Sequence, residues 1–196
     1  IEAPVSGQVT ANVIGIIENQ APTRHLKMQV VAEKGEVKAD INKDIAKLAL
    51  VERHHDSGKV QMGLVSGFGF NRPCAVATTV AHDCHNMIIV GTNDRDMAIA
   101  GNALATSGGG QVVVSEGEII GINELPIGGL MSSEPASVVA QKAKTVLDGF
   151  KTCGCELNNP NMQLSLLALV VIPELRISDL GLVDVTQFKF IPLIEA

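Results

Sequence analysis

FGFNRPCAVATTVAHDCHNMIIVGTND, residues 68–94, sets two apolar runs around a polar centre. The runs 75–81 and 87–90 have the length and β-branched content of buried strands. Between them stand His82, Asp83, Cys84, His85 and Asn86, five side chains that can titrate, hydrogen-bond or ligate a metal. A buried strand pair is costly to interrupt in this way, because desolvated polar groups lose free energy unless each finds a partner. The rest of the chain reads as scaffold around this stretch.

Upstream, 8–17 alternates as a strand and 26–32 reads as a second, with Lys34-Gly35 as a hairpin turn into Glu36-Val37. Segment 44–52 mixes helix formers with the alternation of Ala46, Leu48 and Leu50, and the alternation favours strand. Residues 53–59, Asp56 among them, form a loop before a returning strand at 60–65. Downstream, 96–106 predicts a helix with Asn93 or Asp94 as N-cap, stopped by Gly108-Gly109-Gly110. Strands 111–114 and 118–122 make a hairpin across Glu116-Gly117. Ser132 or Ser133 caps a second helix that Pro135 enters in its first turn, with Val138, Val139, Ala143, Val146 and Leu147 as its buried face; it ends near Cys153-Gly154. Residues 161–171 fit helix or strand, Pro173 closes them, and 178–181 turns into the tail. The expected fold is α+β (mixed α/β): a strand-rich domain with a mixed sheet and two or three helices, one domain over residues 1–196.

Composition narrows the function classes. At 196 residues, with 46% hydrophobic and 18% charged residues, the chain can bury a proper core. A net charge of −6, 3% aromatic residues and no Trp or Tyr speak against a nucleic-acid surface. No apolar run approaches the ~18 residues of a membrane span, and no signal-peptide pattern opens the chain. Four scattered cysteines do not make a disulfide framework, so a reducing, cytoplasmic setting is expected. The chain opens at Ile1 rather than Met, which suggests a piece of a longer protein.

For the polar cluster, a strand would put Asp83 and His85 on one face, and a helical turn would gather His82, His85 and Asn86. Either allows an Asp–His pair in which the carboxylate orients the imidazole. The plainer reading is a self-satisfied polar turn. His-x-x-His supplies two ligands where zinc generally wants three or four, so no metal ligand is assigned. Arg53, His54 and His55 read as a solvated loop, with a substrate or interface role as the alternative. Gly67-Phe68-Gly69 is only a fragment of a dinucleotide signature, and Cys153-x-Cys155 reads as two reduced thiols.

Seven blocks together carry a resemblance: VIGIIENQAPTRH (13–25), DIAKLALVERHHDSG (44–58), GFGF (67–70), VAHDCHNMIIVGTNDRDMA (80–98), GGGQVVV (108–114), LPIGGLMS (125–132) and LALVVIPELRISDLGLVDV (167–185). In this order, across about residues 9–193, the chain resembles the C-terminal domain of adenine deaminases, members of the amidohydrolase superfamily. The resemblance implies hydrolytic conversion of adenine to hypoxanthine and ammonia, with a metal-activated hydroxide attacking the purine. It places manganese, iron or zinc in a preceding (β/α)8 barrel, on a His-x-His pair, further His residues, a carboxylate and an Asp. This chain has no His-x-His and no room for such a barrel, so no cofactor is expected in the fragment itself.

On that resemblance the chain is a fragment that supports the barrel active site and is inactive alone. Its expected partners are the enzyme's own barrel domain and adenine in the parent, with a homo-oligomer and neither nucleic acid nor membrane. His82, Asp83, His85 and Asn86 are the catalytic candidates, and Arg53, His54, His55 and Asn93 the substrate or interface candidates. Cys84 stands where the resemblance has a small Ser, which speaks against a nucleophile there. The alternatives are a structural or oligomerisation module, or a small-molecule binding domain.

Overall fold

The computed structural model describes residues 1–3, 6–55 and 57–195; Asp56, within the expected loop, lies outside them. Nine strands form one mixed sheet: β1 (Gly7–Ile16), β2 (Thr23–Glu33), β3 (Glu36–Val37), β4 (Ile45–Val51), β5 (Val60–Ser66), β6 (Cys74–Thr78), β7 (Met87–Gly91), β8 (Gly110–Ser115) and β9 (Glu118–Glu124). Their order is β3-β2-β1-β5-β4-β7-β6-β8-β9, and β1 with β5 is the parallel pair. The segment 44–52 is strand, as its alternation indicates, and Lys34-Gly35 makes the β2–β3 turn with Lys34 at φ 53°. A smaller antiparallel sheet holds β10 (Leu175–Ser178), β11 (Gly181–Asp184) and β12 (Lys189–Ile191).

Side-chain size decides what covers each face of the large sheet. One face presents Ala49, Ala75 and Ala77 among larger residues, and α1 (Asp94–Ser107) packs there through Met97, Ala100 and Leu104. Small residues let the helix come close: a Cβ on Gly91 would stand 2.5 Å from Met97 Cγ. The other face presents Leu48, Leu50, Val76, Ile88, Val90 and Val113. It is covered by α2 (Ala136–Thr152), α3 (Pro160–Leu166) and the inner side of the small sheet, through Val146, Phe150, Leu164, Ile177 and Leu182. Residues 161–171 therefore resolve into a short helix followed by turns.

Two expectations about α2 are corrected. Its N-cap is Pro135, with no side-chain cap; Ser132 Oγ instead accepts from Glu134 N–H at 3.1 Å, and Ser133 makes no cap. The fixed φ of proline pre-forms the helix entry without a hydroxyl. Leu147, expected in the buried face, is exposed, because the helix turns Val146, Gly149 and Phe150 to the sheet. For α1, Asn93 is the cap: its Oδ1 accepts from Asp96 N–H at 2.8 Å.

Arg176 ties the small sheet to the rest. It is fully buried and bound only to main-chain carbonyls: Nε donates to Ile172 O and Nη1 to Leu166 O, both at 2.8 Å, and Nη2 donates to Ala21 O. Burial lowers its pKa to about 10, which leaves it charged at neutral pH. Replacing Arg176 with Ala strands these carbonyls, and the expected loss in urea unfolding is about 3 kcal/mol or more. A loss below about 1 kcal/mol would show that water substitutes freely for the guanidinium.

Candidate functional site

The expected site residues fall into two groups at opposite ends of β7. Because β4 and β7 are antiparallel, with Val51 opposite Met87, the loop after β4 lies beside the 82–86 stretch. That stretch is a tight turn between β6 and β7, neither strand nor helix. The His82–Asp83 peptide is cis, and His85 sits in the left-handed region at φ 50°. Asn93 lies at the far end of β7, where it caps α1 and takes no part in the cluster.

The main chain of the turn is clamped from several directions. His82 N–H donates to Ser165 O of α3 at 3.0 Å, and His85 N–H to Ala81 O at 2.7 Å. Arg53 Nε donates to His85 O at 2.7 Å and its Nη2 to Gly128 O at 2.6 Å, while Arg53 N–H donates to Asn86 Oδ1 at 3.3 Å. His54 Nε2 meets Cys84 O at 2.7 Å. Arg53 and His54 are thus clamps on the turn, although His54, like His55, is exposed, as a solvated His54-His55 pair would be. His55 does point outward, its Nδ1 3.2 Å from Glu52 Oε1.

The side chains of the turn are treated differently. Asn86 is buried and bonded, but among the described residues no hydrogen bond or ion pair engages the Asp83 carboxylate or the rings of His82 and His85. The Asp–His pair that either backbone reading allowed is therefore not formed among the described residues, and neither is a fully self-satisfied polar turn. Cys84 packs against the main core, and burial first of all pushes its thiol pKa up, so little nucleophilic thiolate forms at neutral pH. That agrees with discounting it as a nucleophile.

Three features behind the turn were missed in the sequence. Glu52, buried at the end of β4, accepts from Ser57 Oγ at 2.6 Å and from the N–H groups of His54 and His55 at 2.5 and 2.9 Å. The Ser57 hydroxyl first, then those N–H groups, outweigh desolvation and hold its pKa at about 2. Thr79 Oγ1 donates to Gly129 O at 2.6 Å and accepts from Gly110 N–H at 2.8 Å. Backbones cross here with no space for side chains: a Cβ on Gly109 would collide with Gly129 and stand 2.7 Å from Thr79 Oγ1, and one on Gly129 would collide with the Arg53 guanidinium. The one available sequence signal is Gly108 to Gly110, read as a helix stop, a job that Gly108 at φ 79° does perform.

Behind this crossing, on the α1 face, lies an open cleft of about 460 Å³ lined by Val51, Glu52, Arg53, Thr79, Met87 and Leu104 among others. Its carboxylate and hydroxyl are already saturated, so it offers little polar recognition to a small molecule. Among the described residues no three His, Cys, Asp or Glu side chains gather as metal ligands, so the donor set of those residues does not fit the resemblance's metal. None of its helices, among the described residues, is long and apolar enough to cross a membrane.

The Glu52 knot has a pH signature. Its folded pKa lies below the ordinary 4.5, so its contribution is complete above 4.5 and fades as pH falls toward about 2. The stability advantage of the native chain over Glu52→Gln should be constant at neutral pH and shrink across that window. A difference that stays constant through acid unfolding would contradict the assignment.

Comparison with known proteins gives this geometry its family. A family model described as the adenine deaminase C-terminal domain matches residues 20–189. An adenine deaminase of Roseobacter denitrificans is 55% identical over 100% of this chain and 32% of its own length. Adenine deaminase 3 of Rhizobium meliloti is 53% identical over 94% and 31%. An adenine deaminase of Moorella thermoacetica is 48% identical over 99% and 33%. The chain spans about a third of the length of these relatives. It belongs to the adenine deaminase C-terminal domain family.

Proposed function

We propose that the chain, taken as one domain over residues 1–196, is the C-terminal part of a cytoplasmic enzyme that hydrolyses adenine to hypoxanthine and ammonia. In this reading the metal and its activated water belong to the enzyme's barrel domain. This domain is inactive alone and holds the His82–Asn86 turn against that barrel. The observation that carries the reading is the match itself. It runs the whole chain at 48–55% identity to relatives named adenine deaminase, yet covers only a third of each. The donor set of the described residues supports the division, since it supplies no metal ligand cluster.

The turn is the part offered to the active site. Its backbone is fixed by Arg53, His54 and Ser165, while the His82 and His85 rings and the Asp83 carboxylate carry no hydrogen bond within the described chain. A rigid backbone with free polar side chains is what a positioned acid–base or substrate-binding group requires. Holding His85 at positive φ costs about 1–2 kcal/mol, a strain that the clamps sustain.

The test uses the full-length enzyme. Replacing His85 with Ala should lower ammonia release from adenine by about 10²-fold if the ring takes part in proton transfer. A variant that loses folded protein but turns over at the native rate per folded molecule would sink that role.

A further inference from the structure

Two of the five phenylalanines of this aromatic-poor chain are left in solvent. Phe68 stacks on Phe70 and Phe150 in the core, at centroid distances of 5.2 and 6.5 Å. Phe188 and Phe190, by contrast, are 81% and 60% exposed. Phe190 lies on β12 opposite Val183, while the neighbouring pair Leu182 and Ile191 points inward to the core. Phe188 precedes the strand by one residue, in the β11–β12 turn at φ 51°. Leu180, 66% exposed, sits in the β10–β11 turn, where the Cβ position of the adjacent Gly181 is 3.6 Å from the Phe190 ring. These residues make one apolar face on the outer side of the small sheet.

We propose that Leu180, Val183, Phe188 and Phe190 form the surface on which the remaining two thirds of the same enzyme chain docks. The inference rests on the reading of this chain as part of a longer deaminase. Its relatives carry that additional chain, since the match fills only 31–33% of them. Size favours a tethered occupant over a second copy. A stable dimer needs about 800 Å² from each partner, spread over roughly 20–30 residues. A covalently linked domain docks with far less, because its effective concentration is high. Four exposed or half-exposed apolar residues fit the tethered case.

The test is thiol labelling of full-length Phe190→Cys, read by mass spectrometry at that peptide so that native cysteines do not interfere. Leu180→Cys serves as a second reporter in case the first variant misfolds. The expected result is labelling at least about tenfold slower in the native enzyme than in the denatured one, at every protein concentration. Labelling as fast as in the denatured chain overturns the proposal. So does protection that disappears on dilution as subunits separate, which assigns the face to a second copy. Adenine turnover is measured on the same samples. Protection without turnover keeps the docking and removes the deaminase reading, and turnover without protection does the reverse.

Discussion

The end of the sheet that carries the candidate site depends on the guanidinium of Arg53. One side chain, fixed at the exit of β4, holds the carbonyl of His85 and the carbonyl of Gly128, and its own backbone N–H holds Asn86. Hydrogen bonds from a charged donor contribute about 1.5–3 kcal/mol each, so the clamp stands above ordinary loop contacts. Its surroundings in turn favour glycine at 109, where a Cβ would meet the Gly129 backbone, and at 129, where one would meet the guanidinium itself. Glu52, one residue earlier, folds the loop back on itself so that Arg53 and His54 reach the turn.

This arrangement brings four of the resembling blocks, those containing Arg53, His85, Gly109 and Gly128, to one end of one sheet. Their spacing in sequence hid the connection: the bonds from Arg53 span 32 and 75 residues. Periodicity and turn chemistry are local signals, so they located β4 by the alternation of Ala46, Leu48 and Leu50, and α1 by Asn93 and Gly108. They do not report which loops meet. The 82–86 turn was ambiguous for the same reason, since strand, helix and turn place its side chains differently and only the tertiary clamps choose. The missing hydroxyl cap on α2 and the exposure of Leu147 are smaller cases, where the fixed φ of Pro135 and the docking of Val146 and Phe150 outweighed the local pattern.

The chemistry divides along the same line. The main chain of the turn is held inside this domain by Arg53, His54 and Ser165, while no hydrogen bond among the described residues engages the side chains of His82, Asp83 and His85. The buried thiols, the saturated Glu52 and the saturated Thr79 are poor reagents, and no cluster of ligands among the described residues fits a metal. In the proposed reading such a domain supplies position rather than reaction, and the chain covers about a third of each relative it matches. The exposed aromatic residues of the small sheet extend the same proposal from one cluster to a surface.

Ammonia release from adenine, measured with added manganese on the 196-residue chain and on the full-length enzyme side by side, tests this division most directly. The account predicts a silent domain and an active full-length enzyme. Turnover by the domain alone would contradict it and make the His82–Asn86 turn a catalytic centre in its own right.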